Sequence, residues 1–253
     1  MELVDTHTHI YIEDFRDDYD EMMDRAKNAG VTKFFLPAID SEHTDSMLAI
    51  ESDNIKLMMG LHPCSVKPES IREELDHVKS WLYKRPFYAV GEIGIDLHWD
   101  ISTKDLQIAV FEEQIGWAID LDLPIVIHSR KSTAEVIEVL KRHQAPKLRG
   151  IFHCFGGSAA EAALIINLGF KIGIGGVVTF KNAGLDKTVS EIDLEHIVLE
   201  TDAPYLSPAP TRGKRNEPSY LRLIAENIAE IKDDTIEQVA KITTSNAKEV
   251  FLY

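Results

Sequence analysis

The sequence predicts a (β/α)8 barrel, the TIM-barrel class. Three observations predict it. Short apolar runs alternate with amphipathic stretches eight times within 253 residues, which is the size of such a barrel. The runs are apolar throughout, as parallel strands buried on both faces must be. An open doubly wound sheet would carry a glycine-rich phosphate turn after its first strand; that place holds Thr6-His7-Thr8-His9.

Each element follows from its pattern. The first strand is the short run ending at Val4. Residues 15–30 space Tyr19, Met22, Met23 and Ala26 at three- and four-residue steps, which predicts a helix stopped by Gly30. Strand two is 33–37 and its helix 42–51. Strand three is 56–61, ending at His62-Pro63, with a helix over 69–82. Strand four is 88–93, followed by a long helix over 104–121. Strand five is 124–127, ending at His128, with a helix over 133–143. Strand six is 149–152, ending at His153, with a helix over 158–168 stopped by Gly169. Strand seven is 171–174, with a weaker helix over 187–192. Strand eight is 196–200, ending at Thr201-Asp202. Helices over 219–232 and 235–251 close the chain. No linker or low-complexity segment interrupts this order, so residues 1–253 are expected to form a single domain.

Composition narrows the class. Hydrophobic residues make up 44% and charged residues 27%, ordinary for a globular protein with a large core. No apolar run approaches a membrane span, and the N-terminus lacks a basic region and an apolar signal core. A cytoplasmic location without membrane partners is the expectation. Two cysteines, Cys64 and Cys154, are too few for a disulfide framework. The net charge of −15 disfavours loose binding to polyanions, so phosphate chemistry would need local cations or metal ions. The sequence specifies no oligomeric state.

The polar residues at the strand ends carry the chemistry. His7 and His9 end strand one, His62 strand three, Glu92 strand four, His128 strand five, His153 strand six and Asp202 strand eight. In a closed barrel all strand C-termini share one face, where such folds place their active sites. One histidine past a buried strand is ordinarily a hydrogen-bonded structural residue. Four of them besides His62 on one rim, with a glutamate and an aspartate, predict a metal centre, because without ions these groups would be poorly compensated. Six ligands exceed the needs of one tetrahedral ion, so two divalent ions are expected. His7, His9 and Asp202 would hold one, His128 and His153 the other, and Glu92 would bridge them. Asp5 is close enough in sequence to orient an imidazole ring. Mixed nitrogen and oxygen donors suit zinc, manganese or iron better than magnesium, which prefers oxygen alone; zinc, manganese and magnesium are the candidates carried forward. Such a pair acidifies water and holds the attacking and leaving oxygens of a phosphoryl displacement. Asp202, with Glu92 counted as the other catalytic carboxylate, is placed to take the proton of that water.

Together, Asp5-Thr6-His7-Thr8-His9, Gly60-Leu61-His62-Pro63, Gly91-Glu92-Ile93-Gly94-Ile95-Asp96, His128-Ser129-Arg130, His153-Cys154-Phe155 and Glu200-Thr201-Asp202-Ala203-Pro204 resemble the TatD family. Its members are metal-dependent hydrolases of the amidohydrolase superfamily, described largely as deoxyribonucleases. The resemblance runs in order from residue 5 to about 216. It implies a (β/α)8 barrel, a binuclear divalent-metal centre liganded by His7, His9, Glu92, His128, His153 and Asp202, and hydrolysis of DNA or another phosphodiester. Cys64 after His62-Pro63 is a modest departure, read as a packed, inert thiol.

Four further features have two readings each. His62 contacts the substrate phosphate or hydrogen-bonds a loop. Arg130 clamps a phosphate or pairs with Asp96. Arg212 and Lys214, in the densest basic cluster of an acidic chain, contact the phosphate backbone or belong to a solvated loop. Glu200 supports the ligands or makes a structural hydrogen bond. His43, His77, His143 and His196 are placed away from the rim and given no role.

Two rival functions accompany the phosphodiesterase. One is a superfamily hydrolase of a small ester, lactone or cyclic amide, favoured by the acidic charge and by few exposed-looking aromatics for base stacking. Relatives acting on cyclic amides often bridge their metals with a modified lysine on strand four, where this chain has Glu92. The other rival, a non-catalytic metal-binding scaffold, would ordinarily have lost a ligand; none is missing.

Overall fold

The computed structural model describes residues 1–253. Its strands are β1 (Leu3–Asp5), β2 (Val31–Leu36), β3 (Ile55–Leu57), β4 (Val90–Asp96), β5 (Ile125–Arg130), β6 (Gly150–Phe152), β7 (Phe170–Ile174) and β8 (Ile197–Leu199). The helices are α1 (Tyr19–Asn28), α2 (Thr44–Ala49), α3 (Ile71–Lys84), α4 (Lys104–Leu121), α5 (Thr133–Arg142), α6 (Ala159–Asn167), α7 (Leu185–Glu191), α8 (Leu221–Lys232) and α9 (Ile236–Phe251). The strands pair in parallel and in chain order, β1 to β3 in one arc and β4 to β8 in another. Backbone bonds join the arcs. Met59 N donates to Ala89 O at 3.2 Å and Gly91 N to Met59 O at 3.0 Å. Thr6 N donates to Leu199 O at 3.0 Å on the other side, so the sheet closes into the expected barrel. No helix is long and apolar enough to cross a membrane.

Local chemistry sets the element ends. Gly30 and Gly169 take φ of +95° and +91° just past α1 and α6, a conformation that glycine adopts without a steric penalty. Ser158 and Glu161 form a reciprocal capping box at the start of α6. Two strands depart from the sequence reading. β3 ends at Leu57, because the chain beyond it is pressed against β4: a Cβ at Gly60 would lie 2.8 Å from Ile93 Cγ2. β5 runs on to Arg130, pairing His128, Ser129 and Arg130 with Gly94, Ile95 and Asp96. Polar residues at a barrel mouth look like loop in sequence, yet their backbones still need ladder partners.

Alternation along the strands stacks the barrel interior in layers. Val4, Phe35, Met58, Ala89, Val126, Ile151 and Val198 form one buried apolar cluster with Ala247, Val250 and Phe251 of α9. The end of α9 therefore plugs the barrel, and the Phe251 ring stacks on Phe35 with centroids 3.9 Å apart. Two residues further along the same strand faces stand His128 after Val126, His153 after Ile151 and Glu200 after Val198. One more step reaches Arg130 and Asp202. An apolar floor thus carries a polar layer, and the polar layer carries a rim. The larger core, 56 buried residues, lies mainly between the barrel and its helices.

Candidate metal centre

Glu92 is the hub of the polar layer. It is 2% exposed, and the register of β4 shifts between Val90 and Ile93; such an irregularity re-aims a side chain. Its two oxygens face different histidines. Oε2 lies 3.1 Å from His7 Nε2 and 3.5 Å from His9 Nε2. Oε1 lies 2.8 Å from His128 Nδ1 and 2.9 Å from His153 Nε2. Asp202 Oδ1 stands 3.7 Å from the Nε2 atoms of both His7 and His9. The six sequence-predicted ligands are therefore brought together from five strands, in two groups that share one carboxylate.

Outer partners fix which ring nitrogens face inward. The Tyr11 hydroxyl gives its proton to Pro37 O at 2.6 Å, so it accepts from His9 Nδ1, 3.1 Å away, and His9 Nε2 keeps its lone pair. Asp96 Oδ2 accepts from His128 Nε2 at 2.9 Å, which frees Nδ1. The Asp96–His128 pair is the carboxylate–histidine arrangement by which metal sites orient their ligands; Glu200 Oε1 lies 3.4 Å from His153 Nδ1 without a hydrogen bond to it. His62 differs. Its Nδ1 accepts from Cys64 N at 3.0 Å, so in the neutral ring Nε2 carries the proton. It presents a donor towards Glu92 Oε1, 3.3 Å away, and suits an anion better than a cation.

The donor set fits divalent ions. His7 Nε2 and His9 Nε2 face one another at 3.2 Å, and two lone-pair nitrogens at that range need a shared cation or a proton between them. His7, His9 and Asp202 form one compact group of possible ligand atoms. Behind the rings, His7 Nδ1, His153 Nδ1 and Glu200 Oε2 are buried without a hydrogen-bond partner. His7, His153 and Glu200 each offer an atom within 4.8 Å of the others.

Burial and neighbouring charge shape the titrations. Burial pushes Glu92 upward, but His153, His62 and His7 outweigh it and hold the carboxylate well below its usual range. Burial raises Asp202 to about 6, against the pull of His153 and His9. Burial and then His153 hold His7 well below the usual imidazole value. For His153, burial acts downward, and the carboxylates of Glu92 and Glu200 overcome it and raise the ring. Backbone strain also gathers here. Of the seven non-glycine residues with positive φ, Asp122, Asp233 and Leu252 cap helices, while Lys131, Cys154, Asp202 and Leu206 line the mouth of the cleft.

The cleft above the ligands has a volume of about 840 Å³, and His62 and Arg130 both line it. Several sequence expectations need correction. Asp5 orients no ring: its oxygens accept from Thr201 N at 2.9 Å and Thr201 Oγ1 at 2.6 Å, tying β1 to the end of β8. Arg130 does not pair with Asp96, which is taken by His128; its guanidinium lies 5.3 Å from the centre of the Trp99 ring. Cys64 is exposed at the cleft rather than packed. His43 follows β2 on the rim side, its ring 6.4 Å from Tyr11. Arg212 lies over the Phe180 ring at 4.4 Å, and neither it nor Lys214 lines the cleft. Arg215, in the same loop, is held by Asp18 at 2.7 Å. The sequence reading missed Tyr11, whose one signal was its step of two from His9. It also missed Trp99 and Tyr205, which sit in loops that carry no periodicity.

Comparison with known proteins points the same way. The profile of a family described as "TatD related DNase" matches residues 4–252. The chain is 42% identical over 252 residues to YabD of Bacillus subtilis (strain 168), an uncharacterized metal-dependent hydrolase, with 98% of each chain covered. It superposes on the crystal structure of YjjV, a TatD homolog from Escherichia coli K12, with a TM-score of 0.94 at 30% identity, covering 99% of this chain and 98% of the other. A TatD-family hydrolase from Entamoeba histolytica shares the fold, with a TM-score of 0.87 at 21% identity over 99% and 98% of the two chains.

Proposed function

The chain belongs to the TatD family of metal-dependent hydrolases, and from that premise we propose that it hydrolyses phosphodiester bonds, with DNA as the substrate class. The observation that carries this reading is the Glu92 carboxylate set between two imidazole groups, one oxygen to each. His7, His9 and Asp202 would hold one divalent ion, His128 and His153 the other, and Glu92 both. Bound there, zinc, manganese or magnesium ions would lower the pKa of a water and offset the charge that develops on a phosphate.

The protein's own groups do the rest. Asp202, whose Oδ1 stands 3.7 Å from the Nε2 atoms of both His7 and His9, is placed to accept a proton from the attacking water. His62 offers its Nε2 proton to a phosphate oxygen. Arg130, on the same strand face as His128, supplies a cation to a neighbouring phosphate. The closed apolar floor beneath keeps bulk water from approaching the reacting atoms from below.

Protein reconstituted with zinc, manganese or magnesium should cleave a labelled oligonucleotide. Asp202→Asn should lower that rate by about 10²–10⁴-fold. Cleavage undiminished by the substitution would identify a contaminating nuclease and remove the support for this function. A small-molecule esterase is the second reading, favoured by the net charge of −15. Lactones and simple esters assayed beside the oligonucleotide separate the two.

A further inference from the structure

Among the imidazoles of the polar layer, His9 alone is backed by a phenol. Tyr11 is 7% exposed, and its ring meets the His9 ring edge-on, with centroids 5.8 Å apart. His9 lines the cleft and Tyr11 does not. A substrate in the cleft therefore meets the imidazole and not the phenol, and Tyr11 can act on the site only through His9.

The phenol is committed on both sides. Its one proton goes to Pro37 O at 2.6 Å, because a carbonyl can only accept. Towards His9 Nδ1, 3.1 Å away, its oxygen is therefore the acceptor. The residue after Pro37 is tied to the main chain that carries the bridging carboxylate. Ala38 N donates to Gly91 O and Glu92 N donates to Ala38 O, both at 3.1 Å. The main chain of His9 is fixed elsewhere, by a bond from its N to Ala203 O at 2.8 Å. What the phenol adds is a hold on the ring. One hydroxyl thus joins the imidazole that follows β1 to the segment that carries Glu92, and His9 Nε2 stands 3.5 Å from Glu92 Oε2 across that brace.

We propose that Tyr11 is a positioning residue for one of the two ions: it locks the His9 ring with its Nε2 lone pair facing Glu92, and so sets the affinity of the site formed by His7, His9 and Asp202. The inference rests on the two-ion division above. Without the phenol oxygen, a buried N–H loses its acceptor. The ring then turns, or moves its proton to Nε2, and either change withdraws a ligand from that ion. The ion against His128 and His153 has no imidazole held by Tyr11; His128 has its own partner in Asp96.

The test titrates zinc-loaded wild type and Tyr11→Phe with a chromogenic chelator and measures anomalous scattering from crystals of each at one zinc concentration. One ion should bind about 10–100-fold more weakly in Tyr11→Phe, the range expected when a ligand loses the group that orients it. The other should keep its wild-type affinity. The anomalous peak among His7, His9 and Asp202 should fade, and the peak against His128 and His153 should keep its height. Tyr205→Phe is the control for aromatic packing, since that ring also lies near His9, with centroids 6.2 Å apart; it should leave both affinities unchanged. Unaltered affinities in Tyr11→Phe, equal weakening of both ions, or an equal loss in Tyr205→Phe would overturn the positioning role while leaving the two-ion division intact. Retention of a single ion by wild type would overturn both.

Discussion

A Cβ at Gly173 would stand 2.4 Å from Oε2 of Glu200. The absent side chain on β7 is what lets the Glu200 carboxylate lie behind the rings of His7 and His153, which stack with centroids 3.8 Å apart. Those rings belong to different ligand groups, and Glu200 offers a carboxylate oxygen within 4.8 Å of a ring nitrogen of each. Gly173→Ala should displace the carboxylate, and Glu200→Gln should remove its charge. Each should weaken metal retention by about 10–100-fold, the usual cost of losing an outer partner. Competition with a chromogenic chelator measures this. Wild-type affinity in both variants would reduce Glu200 to a strut for Cys154 N, to which it also bonds.

Removing the ions should cost stability. An ion held at a hundred times its dissociation constant stabilises the fold by about 2.7 kcal/mol, worth roughly 5–10 °C for a chain of this size. A chelator should lower Tm by that amount, and zinc or manganese should restore it. An unchanged Tm would mean that the facing nitrogens of His7 and His9 share a proton and not a cation.

The plug is a separate stability element. Phe251 is 4% exposed and stacks on Phe35 at the closed end of the barrel. Phe251→Ala should destabilise by about 3–5 kcal/mol in urea unfolding. Metal content per folded chain should stay unchanged, because the apolar layer lies between the plug and the ligands.

An acid-sensitive clamp joins α1 to the loop before α8. Hydrogen bonds from Arg215 and Arg25 hold the Asp18 carboxyl well below its usual range. A depressed folded-state pKa contributes stability above the unfolded value, about 4, and loses it as pH falls through the folded value. The pair is partly solvated, so the contribution is about 1 kcal/mol or less. Asp18→Asn should lower Tm slightly at pH 7, and the gap should narrow steadily as pH falls below about 4. A constant gap down to pH 2 would assign the loss to packing.

The barrel was legible because its signals are periodic. The helix expected over 104–121 is α4 with the same bounds, since a run of helix formers broken only by Gly116 ends at a left-handed Asp122. The gathering of His7, His9, Glu92, His128, His153 and Asp202 was legible once strand ends were assumed to converge. What escaped depends on pairs distant in sequence. Asp5 reaches Thr201, not a ring, because β1 closes on β8. Arg215 is drawn to Asp18 across a separation no local pattern reports, leaving Arg212 and Lys214 outside the cleft. Trp99 looked like an unremarkable loop residue until Asp96 was seen to hold its backbone and Arg130 its ring.

The central claim is a pair of ions divided by Glu92. Metal analysis of freshly purified protein, combined with anomalous scattering from its crystals, tests it most directly. The account predicts two ions per chain, one peak among His7, His9 and Asp202 and the other against His128 and His153, with Glu92 between them. A single peak, or ions bound away from Glu92, would contradict it.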